Sequence, residues 1–408
     1  MKILFVQPTG DKQGHYGVYT THVCQELAKQ GNDVVLFTNA ISPEKYLTEK
    51  PFFSTHIVNE GRYGFTKFDA LKKRYPPLYT YGYLRNSFFI FREALRYASK
   101  NKGVDVIQVT DVEFGILSIL LWWHRKNLPR VVVLFHAANF SFEKYIGSPL
   151  MKSYKVFQKQ LVKHRLGKEI SGIVTLGEYH EKNLIKQLNL PKTFPISVIY
   201  DGSDPPEKTL TKEEARKSLG INYSGTIFLF FGMLRKDKGI EYFLQALSGM
   251  KDDQWRAIIA GSPFDYTGEE ISKLLEDYSI TDKVISHIKY ILSEDVPLYF
   301  FAADAIVLPY RKIYTGGSGP LLKEAAVYKR PAIVSNVSEM GYLVQKYFMG
   351  YVCNPEDDQD LREKLQAFLK LSSDERAILG ENAFQAANSW SKMGREYVSF
   401  YEILTESV

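Results

Sequence analysis

Short, almost continuously apolar segments recur along the 408-residue chain, with helix-length segments between them. Unbroken apolar strands are typical of parallel sheets that helices cover on both faces. Repeated strand–helix units of this kind indicate doubly wound α/β domains. We predict strands at KILFVQP, DVVLFTN, DVIQVTD, RVVVLFHA, GIVTLGE and ISVIYDG in the first half, and at TIFLFFG, WRAIIAG, KVISHIK, AIVLPY and PAIVSN in the second.

The strand–helix pattern restarts near residue 226, after the turn-rich stretch DGSDPP and the charged helical piece KEEARKSL. At roughly 100–200 residues per domain, the length allows two or three domains. We therefore predict an α/β fold of two Rossmann-like domains facing a cleft, with domains at residues 1–203 and 204–390. The final helix, within residues 391–408, is expected to return to the first domain.

The composition, 45% hydrophobic and 24% charged, is that of a globular protein and excludes a disordered chain. Cys24 and Cys353 lie far apart and indicate neither a disulfide framework nor a metal site. The longest apolar run, FGILSILLWW, is too short to span a bilayer. With no recognisable signal peptide, we expect a cytoplasmic protein.

The net charge of +6 is unevenly distributed, because residues 1–200 hold 28 Lys and Arg against 15 Asp and Glu. On one predicted helix, Lys152, Lys155, Lys159 and Lys163 recur at three- and four-residue spacing and share a face. Such a face beside apolar residues suits an anionic membrane surface, or it is an ordinary solvated face. Nucleic acid would match the charge, but the sequence carries no nucleic-acid-binding signature.

Ligands of parallel sheets bind beyond the carboxyl ends of the strands, and four such places carry suitable residues. The first is the glycine-rich loop TGDKQGHYG after the first strand. Its backbone N–H groups could meet an anion or a sugar, or it is a plain connecting loop. The loop lacks the pattern G-x-G-x-x-G, which argues against a dinucleotide oxidoreductase.

The second place is FGMLRKDKG, where Arg235 and Lys238 lie three residues apart between a strand and a helix. Two cations beside free N–H groups suit a diphosphate, although a solvated charged turn is the alternative. The third place is YTGGSGPLLKEAAV. Its glycines let the backbone approach a ligand closely, and a serine adds a hydroxyl.

Glu324 lies about one and a half turns into the helix that these glycines precede. A carboxylate there can accept two hydrogen bonds from a diol such as ribose. Its apolar neighbours argue against a simple exposed position, because an unpaired buried carboxylate is costly. The fourth place is His136, in LFHAANF. A lone histidine is more often structural, and the strand-end location favours a functional role.

These segments resemble the retaining GT-B glycosyltransferases of family 4, which use nucleotide sugars. The segment FFGMLRKDKGIEYFLQAL resembles the family's strand–G-x-[IL]-R-x-x-K-G–helix element. The segments ADAIVLPY and GGSGPLLKEAAVYKRPAIVS resemble its donor-binding loop, helix and strand. The resemblance covers nearly the whole length of the chain.

The resemblance implies roles for individual residues. Arg235 and Lys238 would hold the donor diphosphate and support catalysis, and Glu324 would hold the ribose hydroxyls. His136 would contact the transferred sugar near the reacting centre. The two glycine loops would meet the phosphates and the sugar through Gly14, Gly316, Gly317, Ser318 and Gly319.

By the same resemblance, the leaving diphosphate accepts the acceptor's proton, so we expect no metal and no cofactor. The expected partners are a nucleotide-sugar donor and a glycan or lipid-linked acceptor, with hexosyl transfer in the cytoplasm or on the inner face of the membrane. The family often has the first of two glutamates where this chain has Gly316. A non-catalytic nucleotide-sugar-binding subunit or a sugar-nucleotide epimerase is therefore the alternative.

Overall fold

The computed structural model describes residues 1–11, 15–40, 46–47, 49–58, 75–126, 128–136, 149–251, 254–314 and 320–406. The chain forms two compact units. The first comprises Met1–Gly202 together with Ser389–Val408, and the second comprises Ser203–Asn388. The chain therefore passes from one unit to the other at residues 202–203 and again at residues 388–389.

The first unit contains one sheet and a set of helices. The strands are β1 (Lys2–Gln7), β2 (Asp33–Thr38), β3 (Ser54–Ile57), β4 (Val106–Val109), β5 (Arg130–Phe135), β6 (Gly172–Thr175) and β7 (Ile196–Val198). The helices are α1 (His15–Lys29), α2 (Pro76–Lys100), α3 (Phe114–Trp123), α4 (Pro149–Arg165), α5 (Glu178–Leu188) and, from the end of the chain, α14 (Trp390–Glu406). The strand order is β3-β2-β1-β4-β5-β6-β7, and all neighbours are parallel.

Alternate side chains of these strands face two helical layers, as the period of a strand requires. On β1, Leu4 and Val6 face the core beneath α2, α3, α4 and α5, whereas Ile3 and Phe5 face α1 and α14. The Tyr401 hydroxyl on α14 donates to Gln108 Oε1 on β4 at 2.9 Å. The last helix is therefore part of the core of the first unit.

The second unit repeats this plan with six strands. They are β8 (Thr226–Phe231), β9 (Trp255–Ala260), β10 (Val284–His287), β11 (Ala305–Leu308), β12 (Ala332–Ser335) and β13 (Gly350–Cys353). The helices are α6 (Lys212–Ser218), α7 (Ile240–Ser248), α8 (Gly268–Asp277), α9 (Val296–Ala302), α10 (Pro320–Val327), α11 (Ser338–Lys346), α12 (Asp358–Leu369) and α13 (Ser373–Ala386). The strand order is β10-β9-β8-β11-β12-β13, again parallel throughout.

The predicted α/β fold, with a doubly wound parallel sheet in each of two units, is confirmed. Each of the eleven predicted apolar runs contains a strand. The sequence did not predict β3 and β13, which both lie at the edge of a sheet. An edge strand is only partly covered: Thr55 alone is half-buried in β3, and Cys353 alone is fully buried in β13. Neither segment therefore has the continuous apolar sequence by which the buried strands were predicted.

The longest apolar segment of the sequence forms α3. Leu117, Leu120 and Leu121 on this helix are fully buried against the sheet. Within the described ranges, no helix combines the length and the hydropathy that a membrane span requires.

Candidate functional site

The topology of the second unit brings the loops after β8 and β11 together. β8 comes first in the sequence of this unit, yet it lies inside the sheet between β9 and β11. Because crossover connections share one hand, the chain leaves β8 on one side of the sheet and β11 on the other. Open α/β sheets bind ligands at such a switch point, outside the carboxyl ends of the strands.

Arg235 lies in the loop after β8, immediately before a single 3₁₀ turn, Lys236–Lys238. Its guanidinium binds the Asp237 carboxylate through two hydrogen bonds, with Nε to Oδ1 at 2.9 Å. Although burial opposes the charged form, this carboxylate raises the pKa of Arg235 above its usual value. The pair fixes the guanidinium in one direction while leaving 38% of its side chain exposed.

Lys238 ends the same turn and is only 8% exposed. Its Nζ lies 5.8 Å from the centre of the Tyr310 ring, and no described residue accepts a hydrogen bond from it or forms an ion pair with it. Burial and, to a smaller extent, the charge of Arg235 lower the pKa of Lys238 to about 8, against the opposing charge of Asp237. A buried cation without a carboxylate partner is costly, and an anionic ligand would relieve that cost.

Close backbone contacts hold the loops after β8 and β11 together. Gly239 adopts a left-handed conformation with φ +67°, and a Cβ atom there would lie 2.1 Å from the Pro309 carbonyl oxygen. The Arg311 N–H donates to the Asp237 carbonyl at 2.9 Å. These contacts place Tyr310 under Lys238, so the cations occupy a fixed position relative to the start of the next loop.

Tyr314 connects this pair of loops to the glycine stretch that follows it in the sequence. Its ring meets the Tyr310 ring edge-on, with centroids 4.7 Å apart. Burial raises the pKa of Tyr314 to about 12, and the nearby Arg235 charge opposes the rise. The structure thus brings both predicted cations to the point where the predicted donor loop begins.

The glycine-loop residues themselves lie outside the described residues. This holds for the predicted donor-binding residues Gly14, Gly316, Gly317, Ser318 and Gly319. Their roles stay predictions.

Glu324 lies on α10, the helix that follows β11. Its neighbours Leu322 and Ala325 are buried, and burial raises the pKa of Glu324 to about 7. In the described part of the chain, nothing donates a hydrogen bond to its carboxylate. The group therefore keeps its acceptor capacity for a ligand that carries hydroxyls.

His136 lies at the carboxyl end of β5 in the first unit. Its Nε2 is 3.0 Å from Thr110 Oγ1 and 3.6 Å from Asp111 Oδ2, and both partners follow β4. The Tyr19 ring meets the imidazole edge-on with centroids 5.6 Å apart. Because β4 lies beside β1 at the switch point of this sheet, the histidine lies close to the expected binding position.

Asp111 is a residue of this group that the sequence analysis did not single out. It has a left-handed backbone, with φ +53°, and its Oδ2 accepts a hydrogen bond from Gln7 Nε2 at 2.8 Å. A non-glycine residue in this region of conformational space costs energy and is found disproportionately at functional sites. The signal in the sequence was its place as the last residue of the predicted strand segment DVIQVTD.

Two sequence families match the chain. Glycosyltransferase Family 4 matches residues 16–206, and Glycosyl transferases group 1 matches residues 211–386. The chain belongs to the family 4 glycosyltransferases of the GT-B fold. The predicted resemblance is confirmed, and the second match includes Arg235, Lys238 and Glu324.

Known relatives of this glycosyltransferase are distant in sequence. The D-inositol 3-phosphate glycosyltransferase of Corynebacterium kroppenstedtii is 24% identical over 323 residues, which cover 73% of this chain and 69% of the relative. Sucrose-phosphate synthase from Thermosynechococcus elongatus has a TM-score of 0.74 at 18% identity, with full coverage of both chains. Anabaena Alr3699/HepE in complex with UDP has a TM-score of 0.70 at 17% identity, covering 98% of this chain and 99% of that chain. Both structures share the fold.

The predicted basic face of this glycosyltransferase is partly covered in the structure, with Lys152 exposed. On α4, Lys155, Lys159 and Lys163 are half-buried, whereas Val156 and Phe157 are 41% and 56% exposed. Burial lowers the pKa of Lys155, and the Glu113 charge opposes the change. Periodicity showed that the lysines share a face, but it did not show which face of the helix packs against the protein.

Metal ligands were not expected in this glycosyltransferase. Among the residues that the structure describes, no group of three or more His, Cys, Asp or Glu side chains is arranged to hold a metal ion. Metal independence stays a prediction.

Proposed function

We propose that this glycosyltransferase moves a hexose, with retention of configuration, from a nucleotide-diphosphate sugar to a glycan or lipid-linked acceptor. The observation that carries the proposal is the buried ammonium of Lys238, which has no carboxylate partner among the described residues and lies at the switch point of the second unit. Arg235, three residues earlier, adds an oriented guanidinium. Two adjacent cations of this kind fit a diphosphate.

The proposed chemistry uses these cations to stabilise the leaving group. The bond from the anomeric carbon to the diphosphate oxygen breaks, and the bond to the acceptor oxygen forms on the same face. The acceptor's proton passes to the departing diphosphate. Lys238 and Arg235 stabilise the negative charge that grows on the diphosphate, which is the kind of preorganised electrostatic stabilisation that contributes most to many enzymes.

The remaining residues position the donor. Glu324 accepts hydrogen bonds from the ribose hydroxyls, and the glycine loop before it meets the sugar. His136, held by Thr110 and Asp111, contacts the transferred sugar. The Anabaena protein of similar fold was solved with UDP, and also with UDP-glucose, which supports a nucleotide-sugar donor for this chain.

A donor screen tests the proposal. We expect one of the UDP-, GDP-, ADP- or dTDP-sugars to raise the melting temperature, since a ligand at 100 times its Kd stabilises a protein by about 2.7 kcal/mol. The same sugar should then support nucleotide release in the presence of EDTA. A chain that binds none of the four donors would contradict the proposal, and a chain that binds a donor without turnover would be a binding subunit.

Glu324→Gln tests the ribose assignment. Hydrogen bonds to a charged group contribute about 1.5–3 kcal/mol, so we expect the Kd for the nucleotide diphosphate to rise roughly tenfold to a hundredfold. Because the folded-state pKa of about 7 exceeds the ordinary 4.5, the carboxylate lowers stability as the pH rises from 4.5 to 7. The variant should therefore melt at a higher temperature than wild type at pH 8 and at the same temperature near pH 4.5.

Glu269→Gln is the matched control for this substitution. Glu269 is exposed in the first turn of α8, so its replacement should change neither the Kd nor the pH dependence of melting. Unchanged nucleotide affinity in Glu324→Gln would refute the ribose assignment.

A further inference from the structure

The outward side of α3 and α4 exposes a group of large apolar side chains. On α3, Trp122 and Trp123 are 48% and 63% exposed, and Ile119 is 45% exposed. On α4, Val156 and Phe157 are similarly exposed. We call these five side chains the α3–α4 surface. A helix that is apolar on all sides is normally covered on all sides, so α3 indicates a partner for its outward face.

The two helices are neighbours on the sheet. Each follows one of two adjacent parallel strands, β4 and β5, so they run in the same direction over the sheet. They pack side by side, and the Tyr154 hydroxyl on α4 donates to Glu113 Oε1 at 2.8 Å. Glu113 in turn caps the start of α3 by accepting from the Ile116 N–H. These hydrogen bonds fix α4 to the start of α3.

The exposed charged side chains of the segments that form this surface are basic. The segments 114–126 and 149–168 contain eight Lys and Arg and no Asp or Glu, although three of the lysines are half-buried and Arg165 pairs with Glu169 at 3.0 Å. Arg125, Lys126 and Lys152 are exposed, and the Arg125 guanidinium lies 5.8 Å from the centre of the Trp122 ring. An apolar patch with exposed cations beside it matches a partner that is both apolar and anionic.

An anionic bilayer meets both requirements. Tryptophan is enriched at the boundary between acyl chains and headgroups, where its ring is buried and its N–H stays hydrated. Each Lys or Arg near an anionic membrane surface adds about 1 kcal/mol of attraction. A second copy of the chain fits less well, because a two-fold interface would place surfaces of the same charge against each other.

We propose that the α3–α4 surface docks this glycosyltransferase on the face of an anionic lipid bilayer, with Trp122 and Trp123 inserted at the level of the headgroups. The inference rests on the proposed function, because docking on a bilayer would bring the enzyme to its lipid-linked acceptor. The physical claim concerns a surface distinct from the nucleotide site, so either can fail alone.

The tryptophans provide a direct measurement. The chain has four, and the two outside this surface, Trp255 and Trp390, are 0% and 7% exposed. A change in emission on adding vesicles therefore reports on Trp122 and Trp123. We expect a blue shift with vesicles of phosphatidylcholine and phosphatidylglycerol at low salt, and quenching when the lipids carry bromine. The shift should weaken with salt and with pure phosphatidylcholine.

A double variant, Trp122→Ser with Trp123→Ser, is expected to float with these vesicles at least tenfold less than wild type. Its melting temperature and its Kd for the nucleotide diphosphate should stay unchanged, which separates loss of docking from loss of folding or of the donor site. Phe348→Ser is the matched control, because Phe348 is an aromatic side chain of the second unit that is 74% exposed and is not part of this surface. It should float like wild type.

Three results would overturn the inference. One is wild-type protein that stays unbound with anionic vesicles at low salt. Another is a double variant that floats as well as wild type. The third is a wild-type chain that forms dimers or binds RNA without lipid, and a double variant that loses this property, because the surface would then serve a different partner.

Discussion

Replacing Lys238 with methionine is expected to lower the rate of sugar transfer about 100- to 1000-fold and, at the same time, to make the ligand-free protein more stable. Removing one group that stabilises charge in a transition state has an effect of about this size on kcat. Methionine keeps most of the apolar stem, so the loss would be due to the missing charge. Turnover measured at saturating donor, beside the melting temperature, checks both effects.

The gain in stability follows from the pKa of Lys238. Its fall from 10.5 to about 8 corresponds to roughly 3 kcal/mol at about 1.4 kcal/mol per unit. The unfolded chain binds the proton of Lys238 more tightly than the folded protein does. The wild-type protein is therefore destabilised by this full amount below pH 8, and the destabilisation disappears as the pH rises to 10.5. The stabilisation in Lys238→Met should therefore be largest at neutral pH and fade in alkali.

Lys236→Met is the control for this pair of effects. Lys236 lies in the same 3₁₀ turn but is exposed, so its replacement should leave turnover and stability nearly unchanged. Near-normal transfer by Lys238→Met would refute the phosphate assignment. A melting temperature that falls would instead show that the ammonium has a stabilising partner in the folded protein.

Replacing Gly239 with alanine is expected to abolish transfer by separating the two loops that carry the site. The new methyl group would lie 2.1 Å from the Pro309 carbonyl oxygen. This steric clash can be removed only if the backbones of the two loops move apart. The Arg311–Asp237 backbone hydrogen bond and the Tyr310 ring beneath Lys238 would move with them. We expect at least a hundredfold loss of turnover and a clear fall in melting temperature.

Gly220→Ala isolates the contribution of the contact. Gly220 has nearly the same left-handed conformation, φ +70°, and a Cβ atom there would meet nothing within 4 Å. In both variants, alanine in the left-handed conformation lowers stability by roughly 1–2 kcal/mol. Only Gly239→Ala adds the steric clash with the Pro309 carbonyl oxygen. If the two variants lose equal stability and both keep activity, the packed loops do not hold the site.

Much of the fold could be predicted from the sequence, because buried parallel strands are apolar over their whole length and the runs are easy to find. The two missing strands, β3 and β13, lie at sheet edges where burial is incomplete. The position of Arg235 and Lys238 at a strand end followed from the same pattern. Their assignment to a diphosphate stays a prediction.

Other features of the site depend on contacts between segments distant in the sequence. Neither the ring of Tyr310 under Lys238 nor the packing of Gly239 against Pro309 has a local signal. Asp237 pairs with Arg235, so Lys238 has no hydrogen-bonded carboxylate among the described residues. Composition cannot show which of two neighbouring cations binds the carboxylate. The α4 lysines show the same limit, because their spacing gives a shared face but not its orientation.

The two passages between the units determine the order in which the chain can fold. The Ser203 N–H donates to the Asn388 carbonyl at 2.8 Å, so the second unit closes on itself where the chain enters and leaves it. The first unit is completed only by α14, whose Tyr397 and Tyr401 are fully buried in its core. During synthesis, the second unit can therefore reach its final structure while the first still exposes one face of its sheet.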